Sequence, residues 1–187
     1  MRTHLLVPSI FVFIAGVIFS GASFAQDSGF NLSLHANDHA TAAEIGLPDY
    51  PGASLYKEKD NDAAFDLGYS YGDTHFRLMV ASYITSDSSA KVLDFYRKPL
   101  SRYSEVLECN GGKPVGNLTR TRSGLTCSDE QGGHVQVNGH SDSNDHELRA
   151  GSPHDFRVVG IDKAEPKSTR FALVYLQVPK DKDSASK

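Results

Sequence analysis

Residues 75–100 read HFRLMVASYITSDSSAKVLDFYRKPL. Over 75–85 the pattern alternates: Phe76, Leu78 and Val80 fall on one side, and Arg77, Met79, Ala81 and Tyr83 on the other, the period of a β-strand. Past Thr85 the period changes. Asp87 or Ser88 can cap a helix, and Val92, Phe95, Tyr96 and Leu100 then recur at spacings of three and four, which puts one apolar stripe on a helix over about 88–98. Pro99 has no amide proton to return to Phe95, so that helix is expected to end near Lys98 or to kink. A singly striped helix following an amphipathic strand needs a sheet to lie on.

Strand patterns surround this unit. On its N-terminal side, Ser54–Lys57 is a short candidate, and residues 63–71 alternate with Phe65, Leu67 and Tyr69 on one side. Gly72-Asp73 suits a hairpin turn into the 75–85 strand. Farther out, Thr41-Ala42-Ala43-Glu44 reads as a capping box, and Gly46 then Pro48 stop a short helix over about 38–45. Tyr50-Pro51-Gly52-Ala53 reads as a turn. On the C-terminal side, strands are expected at 104–109, 124–128, 134–137 with an Asn138-Gly139 turn, 147–150, 156–162 and 170–178. The last (RFALVYLQV) is apolar on both sides, as in a central strand. The sum is an α+β fold: a mostly antiparallel sheet packed by the 88–98 helix. Residues 38–178 form its single domain, with a loose polar leader at 26–37 and a charged, disordered tail at 179–187.

Residues 1–25 have the layout of a secretory signal. Arg2 gives the positive start, Leu5 to Phe19 is almost wholly apolar, and Ser23-Phe24-Ala25 offers small residues for cleavage after Ala25. The apolar run is shorter than the ~20 residues a spanning helix needs. Gln26, not Cys, would then lead the chain, so no lipid anchor and no stable membrane insertion is expected. The destination is the periplasm or the medium. There, Cys109 and Cys127, the only cysteines, should form a disulfide, whose loop closure is worth about 3 kcal/mol. A redox or metal role for the pair is disfavoured by a spacing far longer than C-x-x-C.

The composition excludes some classes of function. With 19 Lys+Arg against 23 Asp+Glu and a net charge of −4, the chain lacks the surplus of cations that a nucleic-acid binder needs. It has 10 Phe and 8 Tyr but no Trp, so a sugar platform would have to be built from Tyr, whose ordinary use is core and edge packing. No phosphate or nucleotide loop is present, and no cofactor is expected.

Two motifs carry possible chemistry. Gly68-Tyr69-Ser70-Tyr71-Gly72 matches G-x-S-x-G, but a nucleophile elbow needs a helix after the Ser, and here a strand follows. His134, His140, His146 and His154, among Asp142, Asp145, Glu147 and Asp155, offer imidazole and carboxylate for Zn²⁺, Ni²⁺ or Cu²⁺, although the spacing matches no recognised metal motif. His35 and His39 would form a two-point clip only on a helix, and Asn37 and Asp38 favour a loop.

Two stretches carry a family resemblance. One is Gly46-Leu47-Pro48-Asp49-Tyr50-Pro51-Gly52-Ala53 with the VLDFYRKPL helix at 92–100. The other runs from Glu147-Leu148-Arg149-Ala150-Gly151 to Thr169-Arg170-Phe171-Ala172-Leu173-Val174-Tyr175. Over about 44–178 the chain resembles an uncharacterised family of small exported proteobacterial proteins. The resemblance implies an exported α+β domain and supplies no catalytic residues. The expectation is therefore an exported, non-enzymatic binding module that meets an envelope or extracellular protein. A metal-binding protein using the His-rich stretch is the alternative, and a hydrolase at Ser70 is the weakest reading.

Overall fold

The alternating run that opened the sequence reading is a twelve-residue strand, Thr74–Thr85, and the change of period after it is a helix, Ser89–Leu100. The structure, a computed structural model, describes residues 32–57, 62–128 and 146–180. In chain order its elements are β1 (Leu32–Asn37), α1 (Ala42–Ile45), β2 (Ser54–Leu55), β3 (Ala64–Tyr71), β4 (Thr74–Thr85), α2 (Ser89–Leu100), β5 (Leu107–Asn110), β6 (Lys113–Pro114), β7 (His146–Ser152), β8 (Asp155–Glu165) and β9 (Ser168–Gln177). The described strands form one sheet in the order β1-β3-β4-β9-β8-β7-β5-β6, with β2 also on β4. All pairings are antiparallel. The molecule is thus mostly an open antiparallel sheet with two helices among the described residues, and the helical share is small. The strand apolar on both sides is β9, which sits between β4 and β8 as its composition demands.

The helix α2 covers one side of this sheet. Val92, Leu93, Tyr96 and Leu100 pack on Met79, Ala81 and Tyr83 of β4, Phe171 and Leu173 of β9, Val159 and Ile161 of β8, and Leu148 and Ala150 of β7. Aromatic rings form the centre. Phe171 stacks on Tyr83 at 5.5 Å and meets Tyr50 at 5.7 Å and Tyr96 at 6.1 Å. Tyr50 also meets Phe95 edge-on at 5.0 Å. The buried hydroxyls are satisfied: Tyr96 donates to the Pro48 carbonyl at 3.1 Å and Tyr50 to Asp87 at 2.9 Å. Burial pushes the Tyr50 phenol up to about 12, and the hydrogen bond to Asp87 adds to the shift. The Tyr50-Pro51-Gly52 motif is a turn that hangs this ring over the core, its Ala53 amide closing on the Tyr50 carbonyl at 3.1 Å.

Local chemistry explains the element ends. Thr41 and Glu44 form the expected capping box, and Gly46 ends α1 in the left-handed region at φ 86°. The helix starts at Ala42 rather than near 38 because Thr41 is its cap. Gly72, at φ 54°, opens the Gly72-Asp73 hairpin between β3 and β4, as expected. The helix α2 runs two residues past Lys98. The missing Pro99 amide falls in the last turn, where the Ser101 amide still reaches the Arg97 carbonyl at 3.0 Å.

Two expectations need correction. The segment 26–37 is not a loose leader in its described part: Leu32–Asn37 is edge strand β1, laddered to β3 although its described side chains are exposed. Backbone hydrogen bonds, which leave no hydrophobic signal, hold it there. No strand forms at 124–128. The Thr121 side chain and the Thr121 and Gly124 amides take up the local backbone groups, and Leu125 instead packs on Phe156 and Leu176. The expected 134–137 strand and Asn138-Gly139 turn lie outside the described residues, as does the tail from 181.

Cys109 and Cys127 are disulfide-bonded, with Cα atoms 5.7 Å apart. The bond staples the 110–127 loop to β5, so that Leu107 and Leu118 close over the sulfurs. Because Phe171 is 1% exposed at the meeting of three other rings, Phe171→Ala should cost roughly 3–5 kcal/mol. Leu55→Ala, on an exposed short strand, should cost under about 0.5 kcal/mol. Denaturant melts of the two variants against the parent check this.

Candidate functional site

The sequence candidates come first. Ser70 lies in β3 directly across from His75 of β4, and the His75 Nδ1 and Ser70 Oγ atoms are 3.0 Å apart. This is a cross-strand pair on an exposed hairpin, followed by a strand and not by the helix that an oxyanion hole needs. Among the described residues no carboxylate hydrogen-bonds to the His75 ring. The pair therefore lacks the orienting acid of a nucleophile–base system.

Of the four histidines expected as metal ligands, the two described ones, His146 and His154, are not gathered. His146 starts β7, and its Nε2 lies 2.6 Å from Glu108 Oε1; Arg97 of α2 donates to the other oxygen of Glu108 at 2.6 Å. Burial alone would raise the Glu108 carboxyl, and hydrogen bonds from Arg97 and His146 more than reverse it, so the net shift is downward. His154 sits in the turn at the other end of β7, a strand length away at roughly 3.4 Å per residue. His134 and His140 lie outside the described residues. His35 is in a strand, so it and His39 are roughly 13 Å apart along the chain. Among the described residues no three His, Cys, Asp or Glu side chains are placed to hold a metal ion.

Sequence reasoning passed over a buried charge. Asp66 of β3, 5% exposed, accepts from Arg77 Nε at 3.1 Å and Nη2 at 2.8 Å, and pairs with His35 of β1 at 2.9 Å. The bidentate Arg77 contact, helped by His35, holds the Asp66 carboxyl below the usual aspartate range against the cost of burial. This cluster ties β1, β3 and β4 together on the helix side of the sheet. The buried Asp66 carboxylate is satisfied by its two partners, so the cluster is a strut. At the opposite end of β4, Tyr56, Ile84, Glu165, Ser168 and Arg170 line a shallow cleft of about 150 Å³. The Arg170 guanidinium lies over the Tyr56 ring there at 4.9 Å and donates to its hydroxyl at 2.9 Å.

The other side of the sheet is the feature without a counterpart. Alternation and register place Leu34 and Ala36 of β1, Phe65, Leu67, Tyr69 and Tyr71 of β3, and Phe76, Leu78 and Val80 of β4 on one face. Tyr69 stacks on Phe76 at 5.7 Å. At the β8 end this face is closed by Leu125 of the stapled loop, packed on Phe156 and Leu176 and bordered by Phe76 and Leu78. At the β1–β3–β4 end it is open: Leu34 is 77% exposed, Tyr71 51%, Leu67 46%, and Phe65 and Tyr69 37% each. The signal was in the sequence. Both parities of β4 are apolar, while the chain offers one long amphipathic helix to cover them.

No protein-family model, curated protein or solved structure matches the chain. Among the described residues no helix is long and apolar enough to cross a membrane, which says nothing of a membrane β-barrel.

Asp66→Asn should lower stability at neutral pH by roughly 1.5–3 kcal/mol, the worth of hydrogen bonds to a charged group. The folded Asp66 carboxyl titrates below its unfolded value, so its contribution is present above about pH 4 and lost as pH falls through the folded value. The gap in melting temperature between parent and variant should therefore narrow from pH 6 toward pH 2. A gap constant across that range would contradict the assignment.

Proposed function

We propose that the chain is an exported, non-enzymatic binding module whose contact surface is the open apolar face of β1, β3 and β4. The observation that carries this is that face itself: five large apolar side chains, 37–77% exposed, side by side on one flat surface. Scattered exposed apolar residues need no explanation, but a contiguous patch marks an interaction site. Export is supported by the secretory layout of residues 1–25, by the disulfide and by the resemblance to exported proteobacterial proteins. A hydrolytic reading would rest on Ser70 and His75 alone, and a metal reading on a histidine stretch whose two described members, His146 and His154, stand at opposite ends of β7.

Site-specific photo-crosslinking in the envelope of the exporting cell tests this. A photoreactive residue at 67 or 71 should give a discrete protein adduct, and one at Lys98, exposed on α2, should not. No adduct from either face position would sink the proposal.

A further inference from the structure

We infer that the occupant of the open face is a second copy of this chain, the two sheets packing face to face about a two-fold axis. This rests on the binding-module reading and names its partner.

Charge is the first ground. In a two-fold contact a patch meets itself, so a charged patch would put like charges together. Every outward side chain on the open strands is uncharged: Leu34 and Ala36; Phe65, Leu67, Tyr69 and Tyr71; Thr74, Phe76, Leu78, Val80, Ser82 and Ile84. The charges of the same strands, Asp66 and Arg77 with His35 and His75 when protonated, all fall on the helix side by register, and Asp66 ties His35 and Arg77 together. These side chains are self-compatible and offer no ionic handle by which a charged partner would be selected; the neighbouring charge on this side is Arg170 of β9, at the rim across from Ile84.

Area is the second ground. The exposed parts of Leu34, Phe65, Leu67, Tyr69 and Tyr71 sum to roughly 500 Å², taking side chains of about 150–250 Å². With the partly exposed Phe76 and Leu78 and a polar rim, the face approaches the ~800 Å² per partner of a stable interface. Two apolar sheet faces pack at ~10 Å with their side chains interleaved, the arrangement of a β-sandwich. The Leu125 loop occupies the far end of the same face, so the two copies would overlap through their β1–β3–β4 halves and abut each other's stapled loops.

One of the chain's own remaining segments is a poorer cover by composition. Residues 129–145 (DEQGGHVQVNGHSDSND) carry Val135 and Val137 as their only aliphatic side chains. The apolar run Leu5 to Phe19 would compete only if it stayed on the chain.

The test is sedimentation of the product exported from the full-length chain, with its N-terminus read by mass spectrometry. The expected result is a dimer in equilibrium with monomer and little weakened by added salt. Leu67→Lys, in mid-strand on β3, should weaken it roughly 100-fold and Tyr71→Lys, at the hairpin end, by less, because a two-fold dimer carries each change twice. Both side chains are largely exposed in the monomer, so the variants should melt cooperatively like the parent. Lys98→Glu should leave the dimer intact. A parent that stays monomeric at every concentration would overturn the inference, whether or not the N-terminal run is retained. So would a dimer indifferent to Leu67→Lys, which would point to pairing through the β1 edge. If the crosslinked adduct from position 67 has the mass of a different protein, self-association falls and the binding-module reading stands. If there is no adduct, both fall.

Discussion

One helix cannot cover two faces of a sheet, and the rest of this structure follows from that constraint. A twelve-residue helix is about 18 Å long and 10 Å wide. The eight strands of the main path extend roughly 34 Å across at about 4.8 Å per step. The chain puts its helix, its aromatic rings and the Tyr50 turn on one side. It covers the β8 end of the other side with a disulfide-stapled loop. The β1, β3 and β4 surface is left over.

What makes the covered side rigid also makes the uncovered side available. Phe171, Tyr83, Tyr96 and Tyr50 lock α2 to the central strands, and the Asp66–Arg77–His35 strut pins β1 and β3 to β4 from the same side. The strands of the open face are thus fixed from behind. A surface held from behind can present apolar side chains without ordering them on contact, which lowers the entropic cost of association. The edge position of β1, with its described side chains exposed, is tolerable on the same ground: its ladder to β3 and the contact of His35 with the buried Asp66 hold it.

Much of the fold was legible because it rests on local chemistry. The β4 alternation, the α2 stripe, the Gly72-Asp73 turn, the Thr41 capping box and the doubly apolar β9 each carry a short-range signal. The cysteine pairing was readable from there being two cysteines and an expected oxidising destination. The misses share a physical reason. Strand β1 is held by backbone bonds and one long-range ion cluster, neither visible in a hydrophobic pattern. Residues 124–128 have strand-like composition, but the Thr121 side chain satisfies their backbone locally. The open face was half legible: alternation put Phe65, Leu67 and Tyr69 on one side of their strand and Phe76, Leu78 and Val80 on one side of theirs, but the register that joins them on one face, and the side the helix takes, came only with the fold. Sequence proximity among the histidines did not carry over to the two that are described. In the described part, β7 separates His146 from His154, and His146 is already engaged by Glu108.

The most direct test is covalent tyrosine labelling of the purified protein, read by mass spectrometry at low and high protein concentration. At low concentration Tyr69 and Tyr71 should react while Tyr96, on the buried side of α2, stays inert; on concentration Tyr69 and Tyr71 should become protected and Tyr56, beside the Arg170 cleft, should not change. Tyr69 and Tyr71 as inert as Tyr96 at low concentration would mean that the face is covered within one chain. Unchanged reactivity at every concentration would mean that no second copy covers it.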